Sequence, residues 1–153
     1  MDRPIGEVLI RYARSNDVAA CIRLSKCSWP GWWANNTQQG SRHIRECIRG
    51  RRCLVAVSNR EVIAYLVWGT LWNKIHLQDV FVQAPLRRHG VARALVEHVI
   101  AIAKRQGYRE IMSDCDTINK PSIALHRRMG FGRCGRITKN WDNDDSYVFS
   151  KKI

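Results

Sequence analysis

The pattern of apolar and polar residues predicts strands and helices along most of the chain. Short apolar runs and alternations of period two predict strands; they span residues 7–13, 53–58, 61–72, 74–83, 109–116, 132–140 and 145–153. Apolar residues that recur every three to four positions predict helices; these span residues 18–29, 41–49, 90–106 and 119–130. The predicted order of elements is β-α-α-β-β-β-α-β-α-β-β.

The connections between these elements predict the class of fold. An Asn59-Arg60 turn separates two apolar runs and predicts a hairpin, and the turn "WDNDD" joins the last two strands. A strand, the longest helix and another strand follow one another between residues 74 and 116, which predicts a parallel pair. We therefore expect an α+β fold with a mixed sheet, formed by a single domain over residues 1–153.

The apolar runs, the N-terminal segment and the cysteines together predict where in the cell the protein is located. No apolar run approaches the roughly 18 residues that a membrane span requires, and the N-terminal segment lacks the features of a secretion signal. The six cysteines form no C-x-x-C pair and stand at no zinc-finger spacing from a histidine. We therefore expect reduced thiols, no metal site, no membrane partner and a cytoplasmic location.

The charge of the chain favours polyanionic partners. The formal net charge is +13 at pH 7, and the cations concentrate in three clusters, Arg42–Arg52, Leu86–Gly90 and Leu125–Gly130. The first cluster also fits an ordinary solvated helix face, whereas the other two flank glycines at the ends of predicted elements. Such a surface suits nucleic acid, the ribosome or a phosphorylated cofactor.

A positively charged turn precedes the longest predicted helix. Arg87, Arg88 and His89 stand immediately before Gly90. The N-terminus of a helix offers unpaired N–H groups and a partial positive charge, and a glycine allows a ligand to approach the backbone. The turn therefore predicts a binding site for phosphate groups.

Two segments stand out in the sequence, "LQDVFVQAPLRRHGVARALVEHVIAIAKRQGY" and, further along, "NKPSIALHRRMGF". In their residues and in the distance between them they resemble two motifs of the Gcn5-related N-acetyltransferase (GNAT) superfamily. The resemblance covers essentially Glu7 to Ile153 and implies a sheet with a splayed parallel strand pair, flanked by about four helices. The chain departs from the motif where Ala84 takes the place of the usual proline and where Arg88 and Ala92 take the places of glycines.

The resemblance implies acetyl-CoA as cofactor and assigns residues to it. Backbone groups on the strand before the turn would bind the pantetheine arm, the turn and helix start would wrap the pyrophosphate, and the second motif would line the other side. The residues concerned are Val80, Phe81, Val82, Arg87, Arg88, His89, Gly90, Val91, Ala92, Arg93, Asn119 and Ser122. His126 occupies the place of the usual tyrosine, beside the thioester sulfur.

Acetyl transfer to an amine needs a neutral nitrogen and a proton for the leaving thiolate. Only about one alkylamine molecule in ~2000 is neutral at pH 7, because its pKa is ~10.4, so a nearby base raises the reactive fraction. Asp79, in the middle of its strand, is our candidate either for this base or for a group that orients the ammonium. His126 is the candidate proton donor to sulfur.

The expected acceptor site lies near the loop "SWPGWW" and the following strand. Trp29, Trp32 and Trp33 present faces that suit cations or stacked rings, and Asp114 is a further candidate for contact with the acceptor. The segments "LSKCSWPG" and "MSD" are similar to those of aminoglycoside 6'-N-acetyltransferases, and "LQDVFV" resembles the pattern of polyamine acetyltransferases. We expect a small-molecule amine as acceptor.

Two alternatives stay open at this point. The chain could acetylate peptide N-termini or lysines of proteins, including ribosomal proteins, where a basic surface would dock on RNA. It could instead be a basic nucleic-acid-binding module on an inactive acetyltransferase fold. A homodimer, paired through the C-terminal strands, is compatible with either activity.

Overall fold

The structure is a computed structural model that describes residues 6–27, 37–141 and 144–153. The strands are β1 (Leu9–Tyr12), β2 (Cys53–Ser58), β3 (Glu61–Leu71), β4 (Lys74–Val82), β5 (Glu110–Asp116), β6 (Gly132–Trp141) and β7 (Asp144–Lys152). The helices of these ranges are α1 (Val18–Ser25), α2 (Thr37–Arg49), α3 (Val91–Arg105) and α4 (Lys120–Arg128). Two short 3-10 turns, Ser15–Asp17 and Ala84–Leu86, precede α1 and α3.

The strands form one mixed sheet in the order β1-β2-β3-β4-β5-β7-β6. The β4–β5 pair is parallel, with Ile75 opposite Ile111 and Leu77 opposite Ser113, whereas β1–β2, β2–β3, β5–β7 and β6–β7 are antiparallel. These four residues are buried, and because a shift by one residue would turn each side chain to the other face, their burial fixes the register. The predicted α+β fold with a mixed sheet is confirmed.

The chain divides into two compact units, and the first comprises the described residues up to Trp68 together with Asp79–His98. Its core joins α1 and α2 to β2, β3 and the end of β4. Cys21, Cys47 and Cys53 lie in this core as free thiols with at most 1% of their surface exposed, where they behave as small apolar residues.

The entry into α1 is fixed by a buried carboxylate. Asp17 accepts two hydrogen bonds from the guanidinium of Arg11, at 2.7 and 3.0 Å, and one from the N–H of Arg14 at 2.7 Å. Burial raises the pKa of Asp17, but these bonds outweigh that effect and the pKa is lowered overall. The carboxylate therefore stays ionised and ties β1 to the helix that follows it.

The second unit comprises Gly69–Gln78 and Val99–Ile153. It contains β5, α4 and the hairpin of β6 and β7, whose strands pair from Gly132 opposite Ser150 to Trp141 opposite Asp144. Buried apolar residues of this unit include Ile102, Ile111, Phe131 and Phe149. Whether the whole chain acts as one domain stays a prediction.

Three element boundaries differ from the predicted ones. The helix expected from Ser41 begins four residues earlier, at Thr37, and so includes Gly40, although a glycine costs roughly 1 kcal/mol inside a helix. The first helix, expected to continue to Trp29, ends at Ser25, and the N–H of Cys27 turns back to the carbonyl of Leu24 at 3.0 Å. The first strand covers four residues only. None of the helices described is both long and apolar enough to cross a membrane.

Candidate active site

The N-terminus of α3 is open to a ligand. Gly90 has φ +82°, and a Cβ built on it would meet no heavy atom within 4 Å. The first hydrogen bond of the helix runs from the N–H of Ala94 to the carbonyl of Gly90 at 2.9 Å, so the N–H groups of Val91, Ala92 and Arg93 precede it. Helix geometry leaves such groups without an intrahelical acceptor, and they fit the phosphate oxygens of acetyl-CoA.

The basic residues of the turn have different contacts. Arg87 donates from Nε to the carbonyl of Val82 at 3.0 Å, and its guanidinium carbon lies 5.5 Å from the ring centroid of Phe81. His89 binds the carbonyl of Arg87 through Nδ1 at 2.8 Å. Arg88 is exposed with φ +67°, and a non-glycine residue in this conformation is uncommon. The turn is therefore anchored to the end of β4 by Arg87, and Arg88 and His89 are exposed beside Gly90.

The residues expected to bind pantetheine stand at the end of β4. The parallel pairing of β4 with β5 ends at Leu77 and Ser113, whereas β4 itself continues to Val82. Phe81 and Val82 bury their side chains, so main-chain groups are what this segment can offer to a ligand. Its use by the cofactor stays a prediction.

Asp79 has a buried partner that sequence reasoning missed. The hydroxyl of Tyr65, on β3, donates a hydrogen bond to Oδ2 of Asp79. Tyr65 is completely buried and stacks on Phe81, with ring centroids 6.2 Å apart. Burial raises the pKa of the Asp79 carboxyl to about 6, although the bonds from Tyr65 and from the N–H of Val80 act in the opposite direction. A carboxyl with this pKa is a stronger base than an ordinary aspartate.

The second motif forms a compact cluster on α4. Asn119 caps the helix, since its Oδ1 accepts from the N–H of Ser122 at 3.2 Å. His126 donates from Nδ1 to the carbonyl of Ser122 at 2.7 Å. Its ring stacks on Phe149 at 4.4 Å and meets the edge of Phe131 at 5.3 Å. Burial lowers the pKa of His126, so the neutral ring is favoured at pH 7 and a smaller fraction of His126 carries the proton than in a free imidazole.

Asp114 belongs to a polar network of the second unit. Its Oδ1 lies 2.8 Å from Nε2 of His76, on β4, and its Oδ2 lies 3.4 Å from Nδ2 of Asn140, on β6. The network continues from Asn140 to the hydroxyl of Ser146 at 3.1 Å and from there to Asp116 at 3.4 Å. The side chains of His76 and Asp114 are 23% and 15% exposed, so a ligand can reach them.

Several predicted residues remain untested by this geometry. Trp29, Trp32 and Trp33 lie outside the described residues. His76 and Tyr65 were missed because each meets its carboxylate partner across strands, 38 and 14 positions away in the chain. A signal did exist for His76: it alternates with buried Ile75 and Leu77, which places it on the opposite face of β4.

Comparison with known proteins identifies the family to which this chain belongs. A model of the acetyltransferase (GNAT) family matches residues 18–131. The chain therefore belongs to the GNAT family of N-acetyltransferases, and its cofactor is acetyl-CoA.

Individual relatives match the chain to different extents. Human N-acetyltransferase 8 is 40% identical over 64 residues, which cover 42% of this chain and 28% of that protein. The chain thus spans less than a third of that relative. Aminoglycoside N(6')-acetyltransferase type 1 from Acinetobacter genomosp. 13 is 29% identical over 129 residues, 78% of this chain and 88% of that protein. A structure of the NatC complex bound to Gag peptide and CoA has the same fold, with a TM-score of 0.82 and 19% identity over 96% of this chain and 98% of that one.

Proposed function

We propose that this enzyme acetylates a primary amine of a small molecule, of the polyamine or aminoglycoside kind. The observation that carries this proposal is the Asp79 carboxyl, whose pKa of about 6 leaves it mostly ionised at pH 7. An anionic carboxylate attracts an alkylammonium and can also accept its proton. The similarity to an aminoglycoside acetyltransferase over most of both chains supports this acceptor class.

The start of α3 would hold the cofactor. Acetyl-CoA supplies the activated acetyl group as a thioester. The N–H groups that follow Gly90 would bind its phosphate oxygens, and the exposed guanidinium of Arg88 would add a charge-assisted contact. Arg87 would act mainly by fixing the turn on Val82. Asn119 and Ser122, which cap α4, stay predicted cofactor contacts.

The remaining proposed roles are to hold the acceptor and to protonate the leaving sulfur. Asp79 would hold the acceptor ammonium. His126 would donate a proton to the sulfur from Nε2 in the imidazolium form, in which both ring nitrogens carry a proton and Nδ1 stays bound to the carbonyl of Ser122. Because the pKa of His126 is lowered by burial, this donation should weaken as the pH rises. Trp29, Trp32, Trp33 and Asp114 stay the predicted acceptor contacts.

Protein acetylation is the second candidate. The net charge of +13 opposes a cationic small molecule at long range, whereas it would favour docking on RNA or the ribosome. The NatC complex, whose fold this chain shares, has been seen with a peptide. Screening over ~8 Å limits the long-range effect at physiological salt, so local carboxylates decide the preference, and we rank the small amine first.

An acceptor panel tests the proposal. Purified enzyme and acetyl-CoA are incubated separately with spermidine, with kanamycin and with a peptide that has a free N-terminal alanine. The masses of the products are then measured by mass spectrometry. Mass detection is preferable to a thiol reagent, because Cys27 and Cys134 are exposed and would react. An acetylated polyamine or aminoglycoside is the expected product; acetylation of the peptide alone would favour the protein acceptor. No product from any amine, together with retention on RNA at ~150 mM salt, would favour the nucleic-acid-binding alternative.

Labelling of thiols in cells tests the predicted cytoplasmic location. All six cysteines are free thiols in the structure, which is what we propose for a protein of the reducing cytoplasm. Alkylation in intact cells should label Cys27 and Cys134, whereas the buried thiols should react only after unfolding. The predicted homodimer is tested by light scattering of the purified protein.

A further inference from the structure

A cavity of about 520 Å³ lies between α4 and the β6–β7 hairpin, and all of its lining residues belong to the second unit. Its volume falls within the roughly 300–1,000 Å³ that is typical of sites for small ligands. From α4 it is lined by Lys120, Ile123, Ala124 and Arg127, whose spacing of three and four residues places them on one helix face. The part of the chain that the structure describes contributes no acidic residue to this lining.

The hairpin contributes aromatic rings to the cavity. Phe149 is buried and lies opposite Arg133 in the β6–β7 register, and Tyr147, two positions earlier on β7, lies on the same face of the sheet. All three residues line the cavity. The guanidinium carbon of Arg133 lies over the ring of Tyr147, 4.6 Å from its centroid. A guanidinium stacked in this way keeps the N–H groups at its edge available to an anion.

Three cations line the same cavity without a carboxylate to neutralise them. Lys120, Arg127 and Arg133 are exposed, and none of them forms an ion pair with another described residue. An anionic ligand would relieve the repulsion among these charges. A single carboxylate would leave most of the charge uncompensated, whereas a phosphate offers up to two charges and accepts the paired N–H groups of an arginine.

The cavity differs from the predicted cofactor site. The residues that the family resemblance assigns to acetyl-CoA all lie in the described part of the chain, and none of them lines the cavity. The start of α3, where the phosphates of the cofactor are expected, belongs to the first unit. On α4 itself, Ser122 and His126 lie about a third of a turn away from the helix face that lines the cavity.

We propose that this cavity binds a nucleoside phosphate, in addition to the acetyl-CoA that the enzyme uses. The phosphate pairs with the cations, and the flat base stacks on the guanidinium of Arg133 and covers the apolar surface of Phe149. Inorganic phosphate lacks the base and adenosine lacks the charge, so each meets only part of the lining. The proposal is independent of the acceptor, because binding is measured without one.

Calorimetry with AMP tests the proposal, with inorganic phosphate and adenosine as partial ligands. We expect AMP to bind in the micromolar to millimolar range and each partial ligand to bind at least tenfold more weakly. The affinity for AMP should fall as the salt concentration rises, because three cations attract the phosphate. The proposal is wrong if inorganic phosphate binds as tightly as AMP, or if AMP does not bind at millimolar concentration.

Arg127→Gln and Arg128→Gln form a matched pair of variants. Each removes one exposed charge from the same turn of α4 and keeps a good helix former, but Arg128 does not line the cavity. Arg127→Gln should weaken AMP binding at least tenfold, as should Arg133→Gln, whereas Arg128→Gln should change it by less than about twofold. Equal losses in the two α4 variants would show that AMP responds only to net charge, which contradicts a built site.

The ring of His126 reports where AMP binds. It stacks on Phe149 at 4.4 Å and meets the edge of Phe131 at 5.3 Å, and both phenylalanines line the cavity. AMP should therefore shift the NMR signals of the His126 ring and leave those of His98, in the first unit, unchanged. The shifts should persist when acetyl-CoA is present at saturation. Their loss would assign AMP to the nucleotide end of the cofactor site and overturn the proposal.

A nucleoside phosphate occurs both as a free nucleotide and within RNA. Titration with a short oligoadenylate distinguishes these two sources. Binding at least tenfold tighter than that of AMP, and weakened by Arg127→Gln, would identify RNA as the ligand. Binding equal to or weaker than that of AMP would identify the free nucleotide.

Discussion

Gly90 and Gly107 bracket α3 in nearly the same left-handed conformation, with φ +82° and +85°. At both positions a Cβ would find no heavy atom of the protein within 4 Å. An alanine therefore introduces the same backbone strain at either end, about 1 kcal/mol. Only at Gly90, however, should the methyl group occupy space that the phosphate groups of acetyl-CoA need.

The two alanine variants form a matched pair. Gly90→Ala should weaken acetyl-CoA binding at least tenfold by calorimetry, and Gly90→Asp should weaken it further by adding a negative charge. Gly107→Ala should bind the cofactor like the wild type while losing similar thermal stability. Equal cofactor affinity of Gly90→Ala and Gly107→Ala would exclude the start of α3 as the phosphate site.

The hydrogen bond from Tyr65 to Asp79 predicts that removal of the Tyr65 hydroxyl changes the pKa of the Asp79 carboxyl. Because that bond lowers the pKa of a carboxyl that burial raises to about 6, Tyr65→Phe should move the pKa of Asp79 still higher. Phenylalanine keeps the stacking on Phe81, so the fold should survive. Carbon-13 NMR of the Asp79 carboxyl measures both values; a pKa that is unchanged in Tyr65→Phe would show that the bond does not form.

The raised pKa of Asp79 also affects stability. The folded protein holds this proton up to about pH 6, whereas the unfolded chain releases it near pH ~3.9. Ionised Asp79 therefore destabilises the fold as the pH rises from ~4 through ~6, and Asp79→Asn removes that cost. We expect Asp79→Asn to be more stable than the wild type by about 2 kcal/mol at pH 7.5 and by much less at pH 4, although its turnover should be reduced with little change in cofactor affinity.

Much of the fold followed from local patterns in the sequence. The helix expected near 90–106 is observed as Val91–Arg105, since its apolar stripe and flanking glycines define both ends. The predicted start of α2 was wrong, because Gly40 lies inside the helix instead of before it. A glycine near a helix end therefore did not mark the boundary here.

The site was less accessible to sequence reasoning than the fold. Cofactor residues sit in contiguous motifs, so their candidates could be named from the resemblance to the family. The partners of the two acidic candidates could not be named, because the pairing of His76 with Asp114 depends on a parallel register fixed by buried neighbours. Tyr65 likewise meets Asp79 from a neighbouring strand. Its apolar surroundings in the sequence indicated only a core residue.

His126 provides a test of the proton donor. His126→Phe preserves the aromatic stack on Phe149 but removes every titratable atom. If the imidazole donates through Nε2, kcat should fall about 10²-fold while acetyl-CoA binding is unchanged, and His126→Tyr, the residue usual in the family motif, should recover much of it. Since burial lowers the pKa of His126, the wild-type kcat should decline with rising pH. A His126→Phe enzyme with wild-type kcat would assign this residue to packing alone.

Arg88 combines a useful charge with an unfavourable backbone conformation. Its φ of +67° is one that glycine adopts at little cost, and glycine is what the family motif carries there. Arg88→Gly and Arg88→Ala both remove the guanidinium, but only the glycine variant relieves the strain. Arg88→Gly should therefore be about 1 kcal/mol more stable than Arg88→Ala in urea unfolding, while both should bind acetyl-CoA with the same modest loss, less than tenfold, and a weaker dependence on salt. If Arg88→Ala equals Arg88→Gly in stability, the left-handed turn before α3 is not formed in solution, and the phosphate site would need a different geometry.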